Sequence, residues 1–116
     1  MTTALLLVGI CIYASPGVLP RVAEQRGMKA EPSRMIALAD CSRLGERVYL
    51  EVGGRVVGPL LSVDCGQAKH RQAQRARRLV ADVPFELWQE LRLPRAPVPC
   101  EVREVGHRPE GKGAIP

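Results

Sequence analysis

The chain predicts a mainly β fold, one small domain of short strands wound into a barrel, and three observations predict it. Ten prolines and eleven glycines in 116 residues cut the chain into short elements, which favours strands and turns over a helical bundle. The four aromatics, Tyr13, Tyr49, Phe85 and Trp88, are too few to build a core. Val, Leu, Ile and Ala must fill it, as suits a tightly wound barrel. Residues 46–52 alternate, with Val48, Leu50 and Val52 on one face and Tyr49 and Glu51 on the other, the period of a half-buried strand. The length suffices for one hydrophobic core and not for two, and no internal repeat is present.

Residues 2–14 form an apolar run of about a dozen residues, short for a membrane span. The run has the length of a signal-peptide core, but no Lys or Arg precedes it and Ile12-Tyr13-Ala14 is a poor cleavage site. Leu6 to Ala14 therefore reads as the first strand, turning at Ser15-Pro16-Gly17. On that reading the segment cannot be removed without destroying the barrel. An export signal is then missing or unconventional, and membrane contact is confined to this segment.

Residues 21–26 follow as a short helix stopped by Gly27, and residues 29–33 as a linker. A strand over 35–39 ends at Asp40. The alternating strand of residues 46–52 meets Gly53-Gly54, a strong hairpin signal, and residues 55–63 return as its partner, with Gly58-Pro59 marking a bulge or crossing. Residues 79–81 form a short strand into Asp82. Pro84 suits the first turn of a helix over 85–91, whose Phe85, Trp88 and Leu91 make one apolar stripe. At that spacing Trp88 reads as core rather than as a platform for a sugar. A last strand spans 98–105. The barrel domain thus covers 1–105, and the Gly/Pro-rich residues 106–116 read as a flexible tail.

The net charge of +5 is concentrated in one place. Residues 66–78 hold Lys69, Arg71, Arg75, Arg77 and Arg78 with no acid. Such a run, as loop or short helix, is a solvated face or an anion-binding patch. Its candidate anions are nucleic acid, anionic lipid and the carboxylates of a bacterial cell wall. Nucleic acid is disfavoured, because no zinc-ligand pattern, helix-turn-helix signal or interleaved aromatic accompanies the arginines.

Asp40, Asp64 and Asp82 each stand where a strand ends, 24 and 18 positions apart. No single helix or strand gathers residues so spaced; a folded barrel or sheet does. Carboxylates gathered in a cleft are what acid/base chemistry on a sugar bond requires, although Asp is also common wherever a strand becomes a loop. The four cysteines, Cys11, Cys41, Cys65 and Cys100, include no C-x-x-C, and His70 and His107 have no zinc-like spacing to them, so neither a metal site nor a cofactor is expected. Three disulfide pairings are open, as is a set of four reduced, buried thiols.

Ala37-Leu-Ala-Asp40, Leu44-Gly45-Glu-Arg-Val48, Val63-Asp64-Cys-Gly66 and Ala81-Asp82-Val83 together resemble the series of a six-stranded double-psi β-barrel with two or three short helices. More narrowly, they resemble the three-Asp and rare lipoprotein A-like barrels, relatives of the expansins and of membrane-bound lytic transglycosylase A. Tyr13-Ala-Ser-Pro-Gly17 is similar to the Tyr-x-x-x-Gly stretch ending the first strand of such barrels. The chain departs from them after Asp64, where Cys-Gly-Gln replaces the usual glycines or Arg-Gly-Pro. The interval to Asp82 is also longer and more basic.

The resemblance implies that the first and last strands lie side by side, pairing Cys11 with Cys100 and leaving Cys41 for Cys65. Two disulfides imply an oxidising, extracytoplasmic compartment. It also implies Asp82 as the acid of glycan cleavage, with Asp64 shaping the cleft and raising the proton affinity of Asp82 by like-charge proximity. Asp40 is expected chiefly as a structural hydrogen-bond acceptor within the substrate-binding region, with Lys69, His70 and Arg71 at the rim to meet anionic groups. The implied partner of a monomeric barrel is peptidoglycan or another anionic polysaccharide. Three functions follow: a lytic transglycosylase-like enzyme, a non-catalytic polysaccharide-binding or wall-loosening module, and a small basic nucleic-acid-binding protein using residues 69–78. The first is the leading reading, while the missing glycines after Asp64 and the shortage of aromatics speak for the second.

Overall fold

The computed structural model describes residues 5–65, 78–104 and 114–115. Seven strands run β1 (Leu5–Tyr13), β2 (Met35–Leu38), β3 (Arg47–Val52), β4 (Arg55–Cys65), β5 (Leu79–Val83), β6 (Val98–Glu104) and β7 (Ala114–Ile115). Two helices, α1 (Val18–Gln25) and α2 (Phe85–Glu90), and two single 3-10 turns, Pro32–Arg34 and Cys41–Arg43, complete the described elements. The strands lie in the order β2-β5-β1-β6-β3-β4, and a further pairing of β2 with β4 closes them into a six-stranded barrel. Closure leaves no free edge among those six strands. The β1–β5 and β2–β4 pairs are parallel, and the other barrel pairs antiparallel. Most of the tail expected over 106–116 falls outside the described residues; Ala114–Ile115 pair with Val56 and Val57 of β4.

The β3–β4 hairpin follows the alternation. Val48, Leu50 and Val52 are buried while Tyr49 and Glu51 are half-buried, and Gly53 and Gly54 turn the chain with φ of 58° and 76°, conformations that cost glycine least. On β4, Val57 pairs with Leu50 and Leu60 with Val48, so one extra residue lies between them, a bulge at Gly58-Pro59. A Cβ on Gly58 would stand 2.8 Å from a Tyr49 ring carbon.

Helix α1 starts at Val18, three residues earlier than expected, because Pro20 falls in its first turn, where the missing N–H has no intrahelical acceptor to lose. Its end is a Schellman motif. Gly27 takes φ of 69°, the Gly27 N–H donates to Glu24 O at 3.1 Å, and the Met28 N–H donates to Ala23 O at 2.8 Å. The apolar face of α1, Leu19 and Ala23, packs with Met35, Ala37, Leu61 and Val63. Strand β2 is thus buried on both faces: Met35 and Ala37 lie under α1, while Ile36 and Leu38 belong to the main core.

That main core contains Leu50, Val57, Val83, Leu87 and Trp88. Trp88 is 1 % exposed, and its indole N–H donates to Pro94 O at 2.8 Å. The tryptophan is a core residue, as its spacing indicated. Two disulfides join Cys11 to Cys100 and Cys41 to Cys65, the pairing that a barrel with adjacent first and last strands implies. The first staples β1 to β6 inside the core, where Gly9 and Cys100 are register partners. The second lies at the end of β4, with Cys41 exposed and Cys65 half-buried.

Candidate functional site

The site is built around Ala37. Strand β2 pairs Ala37 with Asp82 of β5 on one side and with Asp64 of β4 on the other. Paired residues of neighbouring strands share a face, so both carboxylates belong to the face that α1 covers. Simple alternation would not place Asp64 there. Ser62 pairs with the inward-facing Ile36, and two residues on Asp64 would face inward too. The register slips, however: Ile36 meets Ser62 and Ala37 meets Asp64. Val63 is the extra residue, and this bulge sends Val63 and Asp64 to the same side of the sheet. Val63 packs under α1, and Asp64 reaches the helix end, where Arg26 Nη2 donates to its Oδ1 at 3.1 Å. The pair is partly exposed, 41 % for the Arg26 side chain and 34 % for Asp64, so it orients Asp64 more than it stabilises the fold.

Asp82 is half-buried, and no described side chain or backbone group forms a hydrogen bond to its carboxyl. Burial pushes its proton affinity above the ordinary carboxylate value, and the negative charge of Asp64 pushes it further the same way. Asp82 and Asp64 line a small cleft of about 40 Å³ with Ala37, Ala39, Cys65 and Leu79. A carboxyl group so placed retains a proton to higher pH than a solvated one and is suited to give it to a bound oxygen.

Asp40 is placed differently. The residue is exposed and caps the 3-10 turn that follows β2, accepting hydrogen bonds from the Ser42 N–H and the Ser42 hydroxyl, both at 2.9 Å. Those two bonds hold its carboxyl below the ordinary value; burial opposes them weakly and the Arg43 charge assists. Asp40 lies outside the carboxylate cleft, on a wider groove of about 850 Å³ that also meets Val8, Gly9, Arg78 and Pro99 and shares Ala39 and Leu79 with the cleft. The Cys41–Cys65 disulfide ties the residues after Asp40 and Asp64 together. Two of the three aspartates therefore converge, and the third braces the loop beside them. Lys69, His70 and Arg71 lie outside the described residues.

Arg26 is the site residue that sequence reasoning did not single out. Gly27 marks the helix end and so locates Arg26 in the chain, but nothing local connects it to Asp64, 38 positions away. Among the described residues no three His, Cys, Asp or Glu side chains are grouped to hold a metal ion. No protein-family model, curated protein or solved structure matches this chain.

Proposed function

We propose that this barrel acts on cell-wall polysaccharide outside the cytoplasm, cleaving peptidoglycan glycan strands in the manner of a lytic transglycosylase with Asp82 as the acid. The observation that carries this reading is the half-buried Asp82 carboxyl beside Asp64, with no hydrogen-bond donor among the described residues and a raised proton affinity. In the reaction, Asp82 gives its proton to the glycosidic oxygen as the bond to the anomeric carbon breaks. A hydroxyl of the same sugar closes on that carbon and returns a proton to Asp82, so a single acid completes the cycle. The six-stranded closed barrel supports the finer reading of a double-psi barrel of the three-Asp or rare lipoprotein A-like type. The two disulfides support an oxidising compartment.

Digestion of purified peptidoglycan by wild-type protein and by Asp82→Asn, read by mass spectrometry of soluble muropeptides, tests the proposal. Anhydro-muramoyl products from the wild type alone are expected. Equal release by both proteins would exclude Asp82 as the acid.

A second reading, a polysaccharide-binding or wall-loosening module, is favoured by the size of the cleft, about 40 Å³, which cannot enclose a sugar ring. Pelleting with insoluble wall but no product from either protein identifies that module. A third reading, nucleic-acid binding through residues 69–78, predicts affinity that collapses between low and moderate salt and does not depend on Asp82.

A further inference from the structure

We propose that Arg26 is a positioning residue of the carboxylate pair: from the end of α1 it holds the Asp64 carboxylate in place beside Asp82. The inference rests on the reading of Asp82 as the acid, but its test does not depend on cleavage.

Three observations converge on it. The Schellman motif at Glu24 to Met28 fixes the backbone around Arg26, and Leu19 and Ala23 anchor the helix to β2 and β4. The bulge at Val63 turns Asp64 toward that helix end rather than into the barrel. Arg26 then engages Oδ1 of Asp64 at 3.1 Å, whereas Asp82 has no such partner among the described residues. Two carboxylates on one face are thus made unequal by a cation that touches only one of them, which is how acid and companion roles are separated.

The charges around Asp82 are few among the described residues. On the neighbouring strands, β1 offers Ile12 opposite Asp82, and β2 offers Ala37, with Leu38 beside it. Strand β4 offers Asp64, and α1 offers Arg26 through Asp64. On the chain following β5, Glu86 in the first turn of α2 is the nearest acid in sequence.

The test is an NMR titration of the Asp82 side-chain carboxyl carbon in the intact protein and its variants. In Arg26→Gln the Asp82 midpoint falls toward its value in Asp64→Asn, because the like charge of Asp64 is no longer held beside it. Arg26→Lys, which keeps the charge, retains the wild-type midpoint. Asp64→Asn lowers the Asp82 midpoint by removing the like charge, and adding Arg26→Gln to Asp64→Asn then changes nothing further, because Arg26 acts through Asp64.

A midpoint unmoved by Arg26→Gln would overturn the proposal and leave Arg26 as a surface tether. A midpoint that rises in Arg26→Gln would overturn it too, since Arg26 would then act on Asp82 directly as a nearby cation. The midpoint responding as described in a protein that releases no muropeptides leaves this inference standing and removes the cleavage reading alone.

Discussion

Asp64 and Asp82 stand on either side of Ala37, one strand to the left and one to the right, at the same level of the barrel wall. The smallest chiral side chain separates them, so their charges meet across the cleft with no bulky group between. This relationship makes Asp82 an unusual carboxyl, and its consequences are measurable.

Asp82 should weaken the fold at neutral pH. Its proton affinity is raised by burial and by Asp64, so between the ordinary carboxylate value and its own raised value the folded protein binds more protons than the unfolded chain. Stability from this group therefore falls as pH rises through that window. Asp82→Asn is expected to be about 1 kcal/mol more stable than wild type at pH 7, in line with relief of a half-buried charge that has no partner among the described residues. The difference should vanish at acid pH. Urea titrations across pH would reveal it, and a less stable variant at pH 7 would mean that the carboxylate has a stabilising partner.

Asp40 carries the opposite sign. Its affinity is lowered by the two Ser42 bonds, so its contribution is present above the ordinary carboxylate value and fades as pH falls through its folded value. Asp40→Ala should cost about 1 kcal/mol at pH 7, as for a lost cap, and nothing once both states are protonated. A cost that persists unchanged into acid would assign the effect to packing.

The two disulfides should separate by accessibility. Cys11 and Cys100 are 0 % and 4 % exposed, whereas Cys41 is open to solvent. Brief treatment with a dithiol reductant followed by alkylation should label Cys41 and Cys65 before Cys11 and Cys100, read by peptide mass spectrometry. On the chain-entropy estimate, replacing Cys41 and Cys65 by Ser costs about 3–4 kcal/mol, and opening the 89-residue span of the other pair costs about 4–5 kcal/mol. Simultaneous labelling of all four would show that the buried bond opens with the exposed one.

Gly9 is held by contact rather than by its φ angle. A Cβ there would lie 2.4 Å from the Arg78 carbonyl oxygen, the same oxygen that accepts the Ile10 N–H at 2.8 Å. Gly9→Ala must push β5 away from β1 and should cost about 2–3 kcal/mol, typical of overpacking against backbone. A thermal midpoint equal to wild type would show that β5 starts farther from β1.

Trp88 gives a control for the sugar-binding readings. Trp88→Ala should cost about 3–5 kcal/mol. Because the ring is enclosed, its fluorescence should stay blue-shifted and unaltered on adding soluble glycan strands. A ligand-induced red shift would place the ring in the binding surface.

The local parts of this protein were written in its sequence. The alternation around Val48, Leu50 and Val52, the Gly53-Gly54 turn, the stop at Gly27 and the stripe through Trp88 each follow from a period or a φ demand that a few adjacent residues satisfy. The two disulfides were legible only through the resemblance to a barrel whose first and last strands lie side by side, since the residues alone left three pairings open. The carboxylate pair was only half legible. Three aspartates at strand ends announced a cleft, and Asp40, expected as a structural hydrogen-bond acceptor, caps its own turn.

What only the tertiary structure decided was which face Asp64 occupies and what it meets there. A two-residue period assigns Asp64 to the face opposite Val63, and one unmatched residue in the β2–β4 register reverses that assignment. A register belongs to a pair of strands rather than to either one. Local sequence could show the helix end at Gly27 and the strand end at Asp64, but not that the docking of α1 would bring Arg26 to that carboxylate.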